Sequence, residues 1–137
     1  TKECNTMRDI IFDNFQNSVN DSLLRHRNIL DILSKYQESQ ARASRAVCKA
    51  VTNCGCIKVS AEKQDLIYDE NYLENLNTIT SGIEGQLCDN CREVIERELG
   101  NNMFYLASLC NALGLNLYDI YLKEYDKMNT LGKFTLR

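Results

Sequence analysis

The amino-acid sequence predicts an all-α fold, a bundle of four to five helices. Two observations favour this fold. The 137 residues include no proline and only six glycines, whereas sandwiches and barrels need frequent glycine and proline turns. Apolar residues also recur at spacings of three and four over long stretches, which is the period of helices with one buried face. The length and the 44% hydrophobic content are typical of one globular domain, which we expect to span residues 1–137.

A long first helix is predicted over residues 7–39. Thr6 and Asp9 resemble a capping box, and an apolar stripe then runs from Met7 to Tyr36. A helix of about 33 residues would extend about 50 Å at the usual rise per residue, which is longer than a compact domain of this size. We therefore expect this helix to kink or to project into a partner.

A second helix is predicted over residues 41–57, and Gly55 interrupts it near its end. The helical pattern weakens after this point. A short helix is expected at Leu73–Ile79, and Gly82 and Gly85 are typical of a turn.

The third and fourth helices are the clearest in the sequence. An apolar stripe predicts that the third helix ends at Leu113, before Gly114, where a left-handed cap is expected. Asn116 then caps a fourth helix that runs to about Asn129. Residues 130–137 are expected to form an irregular tail.

The apolar stripes of these helices exceed what one small chain can bury. We therefore expect a homo-oligomer, most simply a symmetric dimer that completes the bundle. The formal charge of −3 argues against a nucleic-acid-binding protein, because duplex binding requires a basic surface. No apolar run approaches the roughly 18–20 residues of a membrane span. No export signal is evident, so we expect a cytoplasmic, reducing environment.

The segment Arg92–Met128 carries three short motifs in order: Glu-Leu-Gly at 98–100, Phe-Tyr-Leu-Ala at 104–107 and Asn-Ala-Leu-Gly-Leu at 111–115. Together with the amphipathic helix that follows, they resemble the C-terminal half of the MazG-like superfamily of all-α nucleoside triphosphate pyrophosphatases. The resemblance implies an all-α bundle. It also implies hydrolysis of nucleoside triphosphates to a monophosphate and pyrophosphate, with Mg²⁺ held by paired acidic residues.

This chain departs from the family pattern at both acidic motifs. Glu98 matches the first acid of the second motif, but Asn101 stands where its aspartate belongs. Residues 51–56, which align with the first motif, include no acid. The resemblance therefore implies impaired catalysis and a nucleotide- or partner-binding, regulatory role. A nucleotide would lie around the residues that align with the family's site, which are Glu98, Asn101, Asn102 and Tyr105.

An active enzyme is the first alternative. Glu93 and Glu96 share i, i+3 spacing on one helical face, and with Glu98 they would hold Mg²⁺, a hard ion that prefers carboxylate oxygens. The chain would then be a Mg²⁺-dependent nucleoside triphosphate pyrophosphohydrolase. Otherwise Glu93 and Glu96 belong to a solvated face beside Arg92 and Arg97.

The sequence has seven cysteines, and this odd number excludes complete intramolecular pairing. Cys54 and Cys56 lie at the end of the predicted second helix, and Cys88 and Cys91 lie at the start of the third. Because these two helices are expected to be antiparallel neighbours, we expect the four thiols to converge on one metal site. Zinc is the first choice of metal, with iron or an iron–sulfur cluster as the alternative.

Other roles for these thiols stay open at this point. Cys88 and Cys91 could form a redox-active dithiol, which would make the protein a redox or metal sensor. The four thiols could also be buried groups that act as small hydrophobic side chains. Cys48 and Cys110 lie on apolar helix faces and are predicted to be core residues.

Overall fold

A computed structural model describes the backbone of residues 2–23, 25, 27–63 and 81–131, with side chains from Ile10 onward. The described chain is mostly helical, as the sequence predicts. Its elements are α1 (Lys2–Ser22), α2 (Ile29–Lys49), a π-helical turn (Ala50–Cys54), β1 (Ile57–Val59), β2 (Ile83–Gly85), α3 (Asp89–Leu113) and α4 (Leu117–Leu131). The helix expected at Leu73–Ile79 and residues 132–137 of the expected tail lie outside the described residues.

The region predicted as one helix over residues 7–39 contains two helices, so that prediction is wrong. α1 ends at Ser22, and α2 begins at Ile29. Asn28 caps the start of α2, because its Oδ1 accepts the backbone N–H of Leu30 at 2.9 Å. Since the apolar spacing continues across the break, periodicity alone does not reveal this N-cap.

α2 runs farther than the sequence indicates. The prediction that one helix ends and another begins near residue 40 is wrong, because residues 37–45 belong to an uninterrupted α2. These residues include neither glycine nor proline and are mostly good helix formers. The helix continues into the π-helical turn and ends before Gly55, close to the predicted end.

The boundaries between the last two helices match the prediction. α3 ends at Leu113, and Gly114 adopts the left-handed conformation with φ of 67°. Asn116 caps α4, since its Oδ1 accepts the N–H of Asp119 at 2.9 Å. α4 continues to Leu131, slightly beyond its predicted end.

The chain forms two compact units. The first, here called the helical unit, comprises Thr1–Ala41 and Leu99–Arg137, and the second, here called the cysteine unit, is Arg42–Glu98. The single domain expected over residues 1–137 stays a prediction. No helix within the described residues is long and apolar enough to cross a membrane.

The core of the helical unit contains side chains from α1, α3 and α4. Its buried members are Val19, Ala107, Cys110 and Leu117. Aromatic rings pack around them, and the ring of Phe12 lies 5.6 Å from that of Tyr118 and 5.0 Å from that of Tyr121. These ring contacts bring α1 against α4.

Gln16 is a buried polar residue whose hydrogen bonds join three parts of the helical unit. Its Nε2 donates to Asn111 Oδ1 at 2.9 Å and to the Leu115 carbonyl at 2.7 Å. Its Oε1 accepts the N–H of Leu117 at 2.8 Å, which is one of the donors left without a helical partner at the start of α4. Asn111 Nδ2 in turn donates to the Gln16 carbonyl at 3.0 Å. Both ends of the Gln16 amide are therefore satisfied, as a buried polar group requires.

The cysteine unit contains a two-stranded antiparallel sheet that the sequence did not predict. β1 pairs with β2 so that Ile57 lies opposite Gly85 and Val59 lies opposite Ile83. Ile57 is buried with Ala50 of the π-helical turn and with a residue of α3, Ile95. β1 therefore contributes Ile57 to the core of this unit, whereas the residues of β2 are exposed.

We expect Gln16→Ala to lower the free energy of unfolding by about 2–4 kcal/mol, because it leaves the Leu115 carbonyl and the Leu117 N–H without their partner. Gln37→Ala is the matched control, since Gln37 is exposed on α2 and its loss should cost less than about 0.5 kcal/mol. Urea unfolding followed by circular dichroism measures both. Equal stability of the two variants would argue against the role assigned to Gln16.

Candidate metal centre

Four thiols of the cysteine unit form a compact cluster. The sulfur atoms of Cys54, Cys56, Cys88 and Cys91 all lie within 4.8 Å of one another, and those of Cys54 and Cys88 are 3.8 Å apart. A tetrahedral zinc ion with Zn–S bonds of about 2.3 Å places its sulfur ligands about 3.8 Å from one another. The structure thus brings together the four residues that the sequence singled out as metal ligands, at a spacing that could hold one ion.

Cys54 and Cys56 flank the point at which the π-helical turn ends. Residues two apart on a regular helix point in nearly opposite directions, so the helix must end between these two residues if both thiols are to face one site. Gly55 ends it, with φ of 77° and with its N–H donated to the Ala50 carbonyl at 2.9 Å. Glycine reaches this left-handed conformation at little cost, because it has no Cβ atom.

Cys88 and Cys91 lie at the first turn of α3. Cys88 directly precedes Asp89, the first residue of the helix, and its sulfur accepts the backbone N–H of Cys91 at 3.4 Å. This is the position and the bond of an N-cap side chain, made here by sulfur instead of oxygen. The Cys88 carbonyl accepts the N–H of Arg92 at 2.9 Å, which continues the helical pattern. The positive end of the helix dipole also favours a thiolate at this position.

The β-hairpin holds the two cysteine pairs close together. β1 begins directly after Cys56, and β2 ends shortly before Cys88. Gly85 lies opposite Ile57 and has φ of 88°. A Cβ atom at Gly85 would lie 2.7 Å from the carbonyl oxygen of Cys56, which is closer than real Cβ contacts. A glycine at this position therefore permits the close approach of β2 to Cys56.

The thiols of Cys88 and Cys91 affect each other's ionisation. Hydrogen bonds from the backbone N–H and the thiol of Cys91 lower the pKa of Cys88 to about 7. The hydrogen bond with Cys88, followed by burial, raises the pKa of Cys91 to about 12. Cys88 is therefore the first of this pair to become a thiolate, which is the form that binds metal ions.

The cluster lies at the edge of the core of the cysteine unit. Cys56 and Cys91 pack against the buried side chains of Ala50, Ile57 and Ile95. Cys88 is half-buried, and Cys54 is exposed. The site is therefore open to solvent on the side of Cys54, where a metal ion can enter.

Two further cysteines do not belong to the cluster. Cys110 is buried in the helical unit, as predicted, and burial raises the pKa of its thiol. Cys48 is exposed on α2, so the prediction that it is a core residue is wrong. The buried stripe of α2 passes through Ala43 and reaches Ala50, and Cys48 lies off this stripe. All six cysteines whose side chains are described are free thiols.

The carboxylates suggested as Mg²⁺ ligands lie on α3. Glu98 is buried, and its Oε2 accepts a hydrogen bond from Arg42 Nε at 3.3 Å. Glu93 and Glu96 are exposed. Within the described ranges, no three carboxylates bring their oxygens together as the four cysteines bring their sulfurs.

The residues suggested as nucleotide contacts also lie on α3. Asn101 is exposed, whereas Asn102 is half-buried and donates its Nδ2 to Ser39 Oγ at 3.1 Å. The half-buried ring of Tyr105 meets the ring of Phe104 edge-on, with 5.2 Å between their centroids. The observed contacts of Asn102 and Tyr105 are thus made with the protein itself.

Comparison of the chain with protein-family models, with curated proteins and with solved structures finds no match. The resemblance of Arg92–Met128 to the MazG-like superfamily therefore stays a prediction from the sequence.

The hairpin and the close approach at Gly85 are the parts of the site that sequence reasoning missed. The β-branched residues Ile57, Val59 and Ile83 lie next to the cysteine pairs and could have indicated the two strands. The sequence pattern instead predicts a turn at Gly85. A pairing of two three-residue strands is difficult to predict, because each strand alone is too short to show a period.

We expect Gly85→Ala to reduce the metal bound per chain and to lower the melting temperature, because the new Cβ atom would clash with the Cys56 carbonyl. Gly100→Ala is the matched control. Gly100 lies within α3 with open space around its Cα atom, so this change should keep the metal and stabilise the helix by about 0.5–1 kcal/mol. Elemental analysis and thermal unfolding measure both effects. Unchanged metal content in Gly85→Ala would show that the close approach is not required.

The ionisation of the cluster can be tested in metal-free protein. The rate at which iodoacetamide alkylates Cys88 should rise with pH and reach half its maximum near pH 7, because the thiolate is the reacting form and the pKa of Cys88 is about 7. Cys91 should still react slowly at pH 9.0, because its pKa is raised to about 12. Peptide mass spectrometry assigns the sites, with exposed Cys48 as the internal reference. Identical pH profiles for Cys88 and Cys91 would be inconsistent with their hydrogen bond.

Proposed function

We propose that this protein is a zinc-binding helical module in which Cys54, Cys56, Cys88 and Cys91 form a structural centre. The observation that carries the proposal is the convergence of the four sulfur atoms within 4.8 Å. Four thiolates in tetrahedral arrangement are a common set of ligands for structural zinc. The ion would join the end of the π-helical turn to the start of α3.

Zinc fits this cluster better than an iron–sulfur centre. In an iron–sulfur cluster the thiolates bind different iron atoms, with inorganic sulfide between them, so the cysteine sulfurs are spread more widely than around one ion. The 3.8 Å between the sulfurs of Cys54 and Cys88, and the 4.8 Å limit for all four, leave room for one ion. A single tetrahedral iron fits the same ligands, and elemental analysis distinguishes it from zinc.

The ligand set supports a structural role for the ion. Four protein ligands complete the tetrahedral shell of zinc, whereas a catalytic zinc ion keeps one position for water or substrate. The ligands also come as two close pairs separated by residues 57–87. An ion that joins them closes this loop, which restricts the unfolded chain and stabilises the folded unit.

The arrangement of the carboxylates favours a binding or regulatory module and argues against an active pyrophosphohydrolase. Buried Glu98 is paired with Arg42, and in the described part of the chain no three carboxylates converge. Mg²⁺ is bound through carboxylate and water oxygens in a nearly octahedral shell. We therefore assign the metal chemistry of this chain to the thiols, and we propose that any nucleotide or protein partner is bound without hydrolysis.

Elemental analysis of protein purified without added metal tests the proposal. About one zinc ion per chain and four thiols protected from alkylation are expected. Cys88→Ser should lose the zinc and lower the melting temperature by about 10 °C or more, because a structural zinc ion contributes directly to folding. Cys48→Ser is the matched control, and it should keep both the zinc and the melting temperature because Cys48 is exposed outside the cluster.

Other results would favour the alternatives. Wild-type protein without metal and with reactive thiols would exclude the centre, and a melting temperature unchanged by chelation would exclude its structural role. Reversible release of metal by peroxide would favour a redox or metal sensor, in which Cys88 and Cys91 of the cluster form the pair that is oxidised. Mg²⁺-dependent release of pyrophosphate from a nucleoside triphosphate would favour the enzyme.

A further inference from the structure

α4 has an apolar side that the described chain leaves exposed. Leu117, its first residue, is the buried residue of this helix. Five large apolar residues farther along α4 are 42–54% exposed, and these are Ile120, Tyr121, Tyr125, Met128 and Leu131. With 3.6 residues per turn, the five fall within about 140° of the helix circumference. They form one surface, here called the α4 face.

The α4 face is nearly free of charge. The exposed charged residues of α4 lie outside its arc, and these are Asp119, Lys123, Asp126 and Lys127. Glu124 lies within the arc, but it is half-buried and already interacts within the protein. A twofold-symmetric contact brings each surface against a copy of itself, so a charged face would repel its copy. The composition of the α4 face permits such a contact.

The aromatic residues of the α4 face are held in place before any partner binds. The ring of Tyr121 lies 5.0 Å from that of Phe12 and stacks on that of Tyr125, with 6.3 Å between centroids and 9° between planes. Aromatic residues and methionine are enriched at the centres of protein interfaces, where charged residues are depleted. Rings that are already ordered also lose little conformational entropy on association.

The exposed area of the α4 face is comparable to the apolar area that a stable dimer buries. An aromatic side chain buries about 150–250 Å² in full and a large aliphatic one falls near the lower end of that range, so five that are half exposed offer about 400 Å². A standard interface buries about 800 Å² on each partner, of which somewhat more than half is apolar.

We propose that the α4 face is the homodimer interface of this protein and that a twofold axis passes near Tyr125. Tyr125 lies halfway along the length of the α4 face, at one edge of its arc, and a side chain close to such an axis meets its own copy. The dimer expected from the sequence would form through this surface. It rests on the helical unit and does not depend on the metal centre.

Sedimentation equilibrium over about 1–100 µM protein tests the proposal, because interfaces of this size commonly associate in or below this range. Wild-type protein should sediment at twice the chain mass of 15.8 kDa. Tyr125→Lys and Tyr125→Glu should each raise the dissociation constant by about 100-fold or more, because like charges would meet at the axis. An equimolar mixture of the two variants should recover the dimer, since Lys and Glu then lie opposite each other.

Thr130→Lys is the matched control. Thr130 is exposed outside the arc of the α4 face, so this variant adds the same charge as Tyr125→Lys and should remain dimeric. Unchanged helix content by circular dichroism in the Tyr125 variants shows that loss of the dimer is not unfolding. A monomeric wild-type protein, or a dimer that persists in both Tyr125 variants, overturns the proposal.

Discussion

Four sulfur atoms within 4.8 Å of one another cannot all carry a negative charge unless a cation compensates them, and this repulsion governs the cysteine unit. Protons retained within the cluster reduce this repulsion. The pKa of Cys88 is lowered to about 7 and that of Cys91 is raised to about 12, so Cys91 stays protonated when Cys88 becomes a thiolate. A divalent cation relieves it more completely, because it attracts every thiolate at once. The left-handed turn at Gly55 and the sulfur N-cap of α3 both bring ligands to this one point.

The helical unit depends on a different kind of interaction. Its core is apolar and small, and the side chain of Gln16 supplies the directional contacts within it. By pairing with Asn111, Leu115 and Leu117, this one amide fixes where α1 meets the α3–α4 turn. Hydrophobic contacts alone would tolerate several relative positions of these helices, whereas a buried amide is satisfied in only a few. A hydrogen-bond network thus fixes the positions of the elements in the helical unit, and the thiol cluster does so in the cysteine unit.

The sequence predicts features that depend on local chemistry. The left-handed end of α3 at Gly114 and the N-cap at Asn116 follow from residue type and spacing. The convergence of the two cysteine pairs is predicted in another way, from their positions at the facing ends of two helices expected to be antiparallel. The sequence does not reveal features that depend on the pairing of strands, or a helix boundary that lies within a continuous apolar pattern. Asn28 caps α2 within an unbroken apolar stripe, and the hairpin pairs strands too short to show alternation. The exposure of Cys48 depends on which side of α2 is covered, which no single helix sequence specifies.

The π-helical turn at Ala50–Cys54 makes the thiol cluster sensitive to chain length as well as to cysteine identity. A π-helical turn holds about one residue more than an α-helical turn. Deleting one residue from it would restore a regular helix and rotate Cys54 by about 100° around the axis of α2. A gene that lost one of codons 50–53 would still encode all seven cysteines but would no longer place the four ligands together. The four-thiol site therefore requires the length of this turn as well as the four cysteines.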